Sequence, residues 1–225
     1  MDDIRANLER VRERIARAAQ RAGRSPDEVV LVGATKQVPA CRIREALACG
    51  LKDFGENYVQ EALTKMEEVG PGARWHFIGR LQRNKVRHVV GRFSLIHSVD
   101  SVELGREIGR RAEALGIEVP VLVEVNVGGE ETKGGVPVER VLELADELAG
   151  IRGVAVRGLM CIPPPVEDPE QARAYFRTLK SLFDRLNNEF RHYLSMGMSA
   201  DFEQAIEEGA NLVRVGTAIF GPRRP

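Results

Sequence analysis

The sequence predicts one α/β barrel, a (β/α)8 TIM barrel of eight parallel strands and crossover helices with an extra N-terminal helix. Three observations predict it. Short apolar runs alternate with amphipathic stretches from residue 29 to the C-terminus, the alternation shows no break in composition, and 225 residues leave little room for a second domain. The domain is therefore 1–225, with 1–23 as a helix packed on the barrel. An open doubly wound sheet is the alternative with the same element order.

The elements follow in turn. Ile4, Leu8, Val11, Ile15 and Ala18/Ala19 recur at helical spacing across 2–22, and Gly23 closes that helix. After the Ser25-Pro26 turn, strand-like runs fall at 29–35, 53–56, 75–79, 94–99, 119–126, 154–161, 193–196 and 212–216. Between them, 41–49, 58–69, 83–90, 102–115, 138–149, 169–190 and 201–208 carry the periodicity of crossover helices. Pro39, Pro137 and Pro169 suit first-turn positions, and Asp100 with Glu103 resembles a capping box.

Composition narrows the function. With 43% hydrophobic residues the chain can build one substantial core, and 33 basic against 33 acidic side chains give no broad attraction to nucleic acid or an anionic membrane. A small partner is expected. No segment approaches the roughly 18 apolar residues of a span, and the N-terminus lacks an apolar signal region, so a cytoplasmic location is expected. Cys41, Cys49 and Cys161 are too scattered for a disulfide framework and read as reduced core thiols. His76, His88, His97 and His192 show no metal-ligand spacing.

A barrel of this kind carries its chemistry at the C-terminal ends of its strands. There the first run ends in Ala34-Thr35-Lys36, the second in Gly55-Glu56-Asn57, the third in His76-Phe77-Ile78-Gly79, the fifth in Asn126 and the eighth in Arg214-Val215-Gly216-Thr217. Period-2 alternation puts Lys36 on the face of Val30, Val32 and Ala34. Desolvation of an inward lysine would disfavour its charge and leave an amine able to condense with an aldehyde, whereas a lysine at a strand end can also snorkel to water. Gly216-Thr217 and the loop Met196-Gly197-Met198-Ser199 offer N–H groups and hydroxyls where barrels hold phosphate; Ser199 could instead cap the next helix, and the glycines could serve tight turns. The glycine-rich loop around Lys133 (128–135) does not match a P-loop, and a lid or plain loop is the better reading. His76 reads first as a satisfied core histidine.

These segments, with Phe54-Gly55-Glu56-Asn57-Tyr58, Trp75-His76-Phe77-Ile78-Gly79, Gly158-Leu159-Met160, Leu194-Ser195-Met196-Gly197-Met198-Ser199 and 213–221, resemble the YggS-type pyridoxal phosphate homeostasis family across essentially the whole chain. The resemblance implies a fold-type III barrel related to the N-terminal domain of alanine racemase, with pyridoxal 5′-phosphate (PLP) bound as an internal aldimine to Lys36. It further implies that Ser199, Gly216 and Thr217 take the phosphate, that Arg214 faces the pyridine nitrogen, and that Asn57 and Met196 line the pocket. The chain departs from the family pattern at Ala34, where a serine is usual, and at Gln37. Alanine racemase adds a C-terminal domain with a tyrosine base, and this chain ends soon after its last strand. An arginine opposite the ring nitrogen also leaves that nitrogen unprotonated and the ring a weaker electron sink. The expectation is therefore a monomeric PLP carrier or buffer, with PLP-dependent apoenzymes as recipients and no robust turnover. An amino-acid racemase or related enzyme is the rival, and a barrel binding another phosphorylated metabolite without covalent chemistry is the third reading.

Overall fold

The computed structural model describes residues 3–130 and 133–222. Nine parallel strands form one sheet: β1 (Val30–Ala34), β2 (Asp53–Glu56), β3 (Arg74–Phe77), β4 (Leu95–Val99), β5 (Val119–Asn126), β6 (Val136–Pro137), β7 (Val154–Cys161), β8 (Tyr193–Ser195) and β9 (Leu212–Val215). Their order is β4-β3-β2-β1-β9-β8-β7-β5, and β4 pairs with β5, so every strand except β6 belongs to a closed barrel. The TIM barrel is therefore right and the open sheet is excluded.

Alternation along each strand splits the apolar residues into two compartments. Val32, Leu95, Leu122, Met160 and Leu212 fill the barrel interior, with Val30 and Tyr193 against them. Residues of opposite parity, among them Phe54, Ile96, Val123, Leu159 and Val213, face outward into a larger layer shared with the helices. Each of these fully buried side chains contributes about 1.5–3 kcal/mol. The inner compartment is small because charged and polar side chains take much of the same space: Asp53, His76, His97, Ser195 and Arg214 are all buried.

The outer helices are α1 (Ile4–Arg21), α2 (Ala40–Ala48), α3 (Val59–Val69), α4 (Val86–Val89), α5 (Val102–Leu115), α6 (Val141–Ala149), α7 (Arg173–Arg185), α8 (Phe202–Glu207) and α9 (Thr217–Phe220). Asp3 caps α1 by accepting from the Ala6 N–H at 3.2 Å, and the buried stripe Ile4, Leu8, Val11, Ile15, Ala18 and Ala19 packs α1 on α8 and α9. The Asn7 amide donates to the Ile219 carbonyl at 2.8 Å, which ties the ends of the chain together. None of the described helices is long and apolar enough to cross a membrane.

Four expectations change in detail. The 169–190 helix is a 3-10 turn, then α7, then a second 3-10 turn at Asn188–Phe190, because Leu186 turns extended (ψ 160°) and interrupts the helical run before Asn187. Asp100 and Glu103 form no capping box; Ser101 is the N-cap of α5 and makes no side-chain cap bond. A true capping box is at Ser25 and Glu28. Gly216 is not strand but the N-cap of the short α9, and β6 is a strand that periodicity missed because it has only two residues.

Candidate functional site at the upper mouth of the barrel

Lys36 emerges where β1 stops. The chain turns over Thr35 to Val38, whose N–H donates to the Thr35 carbonyl at 2.8 Å, and Gln37 takes a left-handed φ of 63°. A non-glycine residue there is uncommon and needs outside support. The support is a buried knot outside the barrel wall. Glu61 accepts from the Gln37 N–H at 2.6 Å, and Lys65 Nζ donates to the Thr35 carbonyl (2.6 Å), Glu56 Oε1 (2.8 Å) and Glu61 Oε1 (2.5 Å). The Thr35 hydroxyl donates to Glu56 Oε1 at 2.6 Å. Burial raises the Glu56 pKa despite the bonds from Lys65 and Thr35, and its Oε2 has no hydrogen-bond partner. Lys36 itself makes no hydrogen bond to the described residues; its Nζ lies 5.3 Å from the centre of the exposed Tyr58 ring, within cation–π range.

The neighbouring strand supplies the other half. β1 pairs with β9 so that Val32 stands opposite Arg214 and Gly33 opposite Val215, which brings Gly216 beside Ala34. The approach favours glycine: a Cβ at Gly216 would lie 3.1 Å from the Ala34 carbonyl oxygen, tighter than an ordinary contact. Ser199 Oγ accepts from the Gly216 N–H at 3.2 Å and the Ala218 N–H at 3.4 Å, while the exposed Thr217 follows at the first position of α9. Ser199 is therefore not the cap of α8. Asp201 occupies that N-cap and accepts from the Met198 N–H at 2.6 Å, which leaves the serine hydroxyl for the β9 turn. Two amide hydrogens already converging on one oxygen form a donor set that suits a phosphate oxygen.

Arg214 points into the barrel beneath this turn. Its guanidinium donates to Ser195 Oγ at 2.5 Å and to the Cys161 carbonyl at 2.8 Å, and burial pulls its pKa down from the usual value. Asn57 follows β2 at the same mouth, and Gly79 packs so closely on it that a Cβ would sit 2.3 Å from the Asn57 carbonyl oxygen. Met196 is fully buried in the outer apolar layer with Leu194 and Phe202 and supports the loop from beneath.

Other strand-end candidates are engaged elsewhere. Glu56 shares the parity of Phe54 and faces α3. His76 lies inside the barrel, 3.0 Å from both Asp53 Oδ1 and His97 Nε2, a satisfied core histidine. Asn126 spends its side chain on the following loop, its amide donating to the Glu130 carbonyl at 2.9 Å. Lys133 pairs with Glu130 at 2.6 Å; part of its loop lies outside the described residues. Only Cys161 is a core thiol, pushed up to about 12 by burial; Cys41 is exposed and Cys49 half-buried.

Glu124 escaped the sequence reading. It stands two residues beyond Leu122 on the inward face of β5, makes no hydrogen bond to the described residues, and is raised to about 7 by burial and by Asp100, against the pull of Arg214 and Arg80. The alternation Leu122-Glu124-Asn126 was the available signal.

Comparison with known proteins gives the family. The model of the alanine racemase N-terminal domain family matches residues 6–224. A pyridoxal phosphate homeostasis protein of Aquifex aeolicus is 52% identical over 221 residues, covering 96% of this chain and 97% of the relative. PipY of Synechococcus elongatus, in a structure with PLP bound, superposes with a TM-score of 0.82 at 34% identity, covering 97% of this chain and all of PipY. A Clostridium difficile alanine racemase shares the fold alone, with a TM-score of 0.77 at 17% identity over 99% of this chain and 60% of the racemase. The chain belongs to the pyridoxal phosphate homeostasis proteins, a family built on the barrel of the alanine racemase N-terminal domain.

Proposed function

We propose that the upper mouth binds PLP and that the protein stores, buffers and delivers this cofactor, so influencing amino-acid and keto-acid balance. One observation carries the reading: the pairing of β1 with β9 brings the strand end that leads into Lys36, whose amine makes no hydrogen bond to the described residues, alongside the Gly216 turn and its converging N–H groups. An aldehyde and a phosphate ester on one small ring answer those two features. Lys36 would hold the aldehyde end of the cofactor, its amine supplying the nucleophile that Schiff-base chemistry there requires. Ser199, Gly216 and Thr217 hold the phosphate, Arg214 meets the ring nitrogen, and Asn57 lines the pocket, whereas Met196, expected to line it too, is buried in the outer apolar layer. PLP binding by PipY and the names of the close relatives support the reading.

Borohydride reduction and peptide mapping test it. A phosphopyridoxyl group on Lys36 is expected; label found only on Lys133 or Lys85 overturns it. Delivery to PLP-dependent apoenzymes, a monomeric state and a cytoplasmic location complete the proposal, checked by reactivation of an added apoenzyme, light scattering and fractionation.

The racemase reading draws on one observation, Glu124, an inward carboxyl near the mouth raised to about 7 and so suited to proton transfer. Against it, Glu56 and His76 are bound into other networks, and an arginine at the ring nitrogen weakens carbanion stabilisation. The expectation is negligible α-proton exchange from L- and D-amino acids in deuterated water. Rapid exchange that vanishes in Lys36→Ala would promote the enzyme.

A further inference from the structure

The barrel interior holds a buried polar chain that none of the roles above uses. Asp53 Oδ1 lies 3.0 Å from His76 Nε2, His76 Nδ1 3.0 Å from His97 Nε2, and His97 Nδ1 3.0 Å from Ser195 Oγ, which accepts from Arg214 at 2.5 Å. It starts at the lower mouth, where Asp53, Arg74 and His76 line a cavity of about 410 Å³, and ends at the guanidinium under the upper mouth.

Hydrogen counting gives the chain one direction. Arg214 only donates, so Ser195 Oγ accepts from it and its own hydrogen is free for His97 Nδ1. His97 then carries its proton on Nε2 and donates to His76 Nδ1, and His76 carries its proton on Nε2 and donates to Asp53. Asp53 is a suitable terminus: burial opposes its charge, but the bonds from His76 and Arg74 outweigh that and hold it below the usual carboxylate range. His97 is held well below the usual histidine value by burial, then by His76 and Arg214, and so is neutral. The reverse arrangement would put two donors on Ser195 Oγ and leave its hydroxyl hydrogen without an acceptor.

We propose that Asp53, His76, His97 and Ser195 are positioning residues for Arg214, a one-way hydrogen-bond chain through the barrel that aims the guanidinium at the ring nitrogen of the bound ligand. This rests on the reading that the upper mouth binds PLP. With one N–H committed to Ser195 and one to Cys161, the remaining donors of Arg214 are available to an unprotonated ring nitrogen.

Two measurements decide it. In the ligand-free protein, long-range ¹⁵N NMR of the imidazoles should find a proton on Nε2 and none on Nδ1 of both His76 and His97; a proton on Nδ1 of either ring overturns the chain whether or not PLP binds. The second uses His97→Gln, whose carbonyl can accept from Ser195 while its amide donates to His76, against His97→Leu, which can do neither. With ¹⁵N-labelled PLP, the leucine variant should shift the ring-nitrogen resonance and weaken binding about tenfold, while the glutamine variant keeps both near those of the parent. Identical behaviour of the two variants overturns the positioning role. A parent protein that binds no PLP removes the proposed function, and the tautomers still judge the chain.

Discussion

Lys36 and Lys65 flank the same turn and solve opposite problems. Lys65 is nearly fully buried and spends its ammonium on three oxygens, from Thr35, Glu56 and Glu61. Lys36 is less buried, makes no hydrogen bond to the described residues and has its Nζ 5.3 Å from the centre of the Tyr58 ring. The difference teaches that burial alone does not mark a lysine as open to a ligand. A deeply buried lysine survives because its counter-charges are complete, and completeness makes it structural; a lysine with no acceptor among the described residues keeps its amine open to one from outside. The first also serves the second, because Lys65 and Glu61 brace the turn that presents Lys36.

The sharpest way to break this comparison is to exchange the effects of the two lysines. Lys65→Met should destabilise the fold by about 3–5 kcal/mol in urea unfolding, since it strands Glu56 without its buried partner. Lys36→Ala should stay within about 0.5 kcal/mol of the parent yet abolish the borohydride-fixed label. Comparable stability losses in both would end the distinction.

Next in size is the partner region across β9. Thr217→Val should weaken PLP about tenfold and leave unphosphorylated pyridoxal unchanged in an equilibrium titration. Equal losses for both ligands would move the phosphate elsewhere.

The same contrast applies to carboxyls. Glu56 has Lys65, whereas Glu124 has no hydrogen bond among the described residues and is raised to about 7. Its folded pKa exceeds the ordinary glutamate value of 4.5, so folding takes up a proton and the Glu124 contribution falls as pH rises from about 4.5 through about 7. Glu124→Gln should remove that slope from the stability profile; identical slopes in parent and variant would refute the assignment. The smallest effect concerns thiols: in the native protein Cys41 should react readily with a chromogenic disulfide and Cys161 only on unfolding.

Much of the fold was legible because parallel strands in a closed barrel alternate between two apolar compartments while the helices keep their own period. Every barrel strand was found within two residues at each end; β6, two residues long, is too short to show a period. Parity along β1 also put Lys36 at the end of the inward face carrying Val30 and Val32. At β2 the parity of Glu56 with Phe54 was equally readable, but reading a strand end as a block put Glu56 beside Asn57 at the mouth, when successive residues point to opposite faces of the sheet.

What the sequence by itself determined is local and periodic: the strand and helix succession, the inward face of β1, and a strand-end lysine, glycine and threonine matching a known family. What only the tertiary structure decided is which distant groups meet. Strand pairing of β1 with β9 brought Gly216 next to Ala34, and barrel closure stacked Asp53, His76, His97, Ser195 and Arg214 into one chain. The physical reason is that hydrogen bonds of 3 Å depend on strand register and barrel closure, relations between strands that no period within one strand contains.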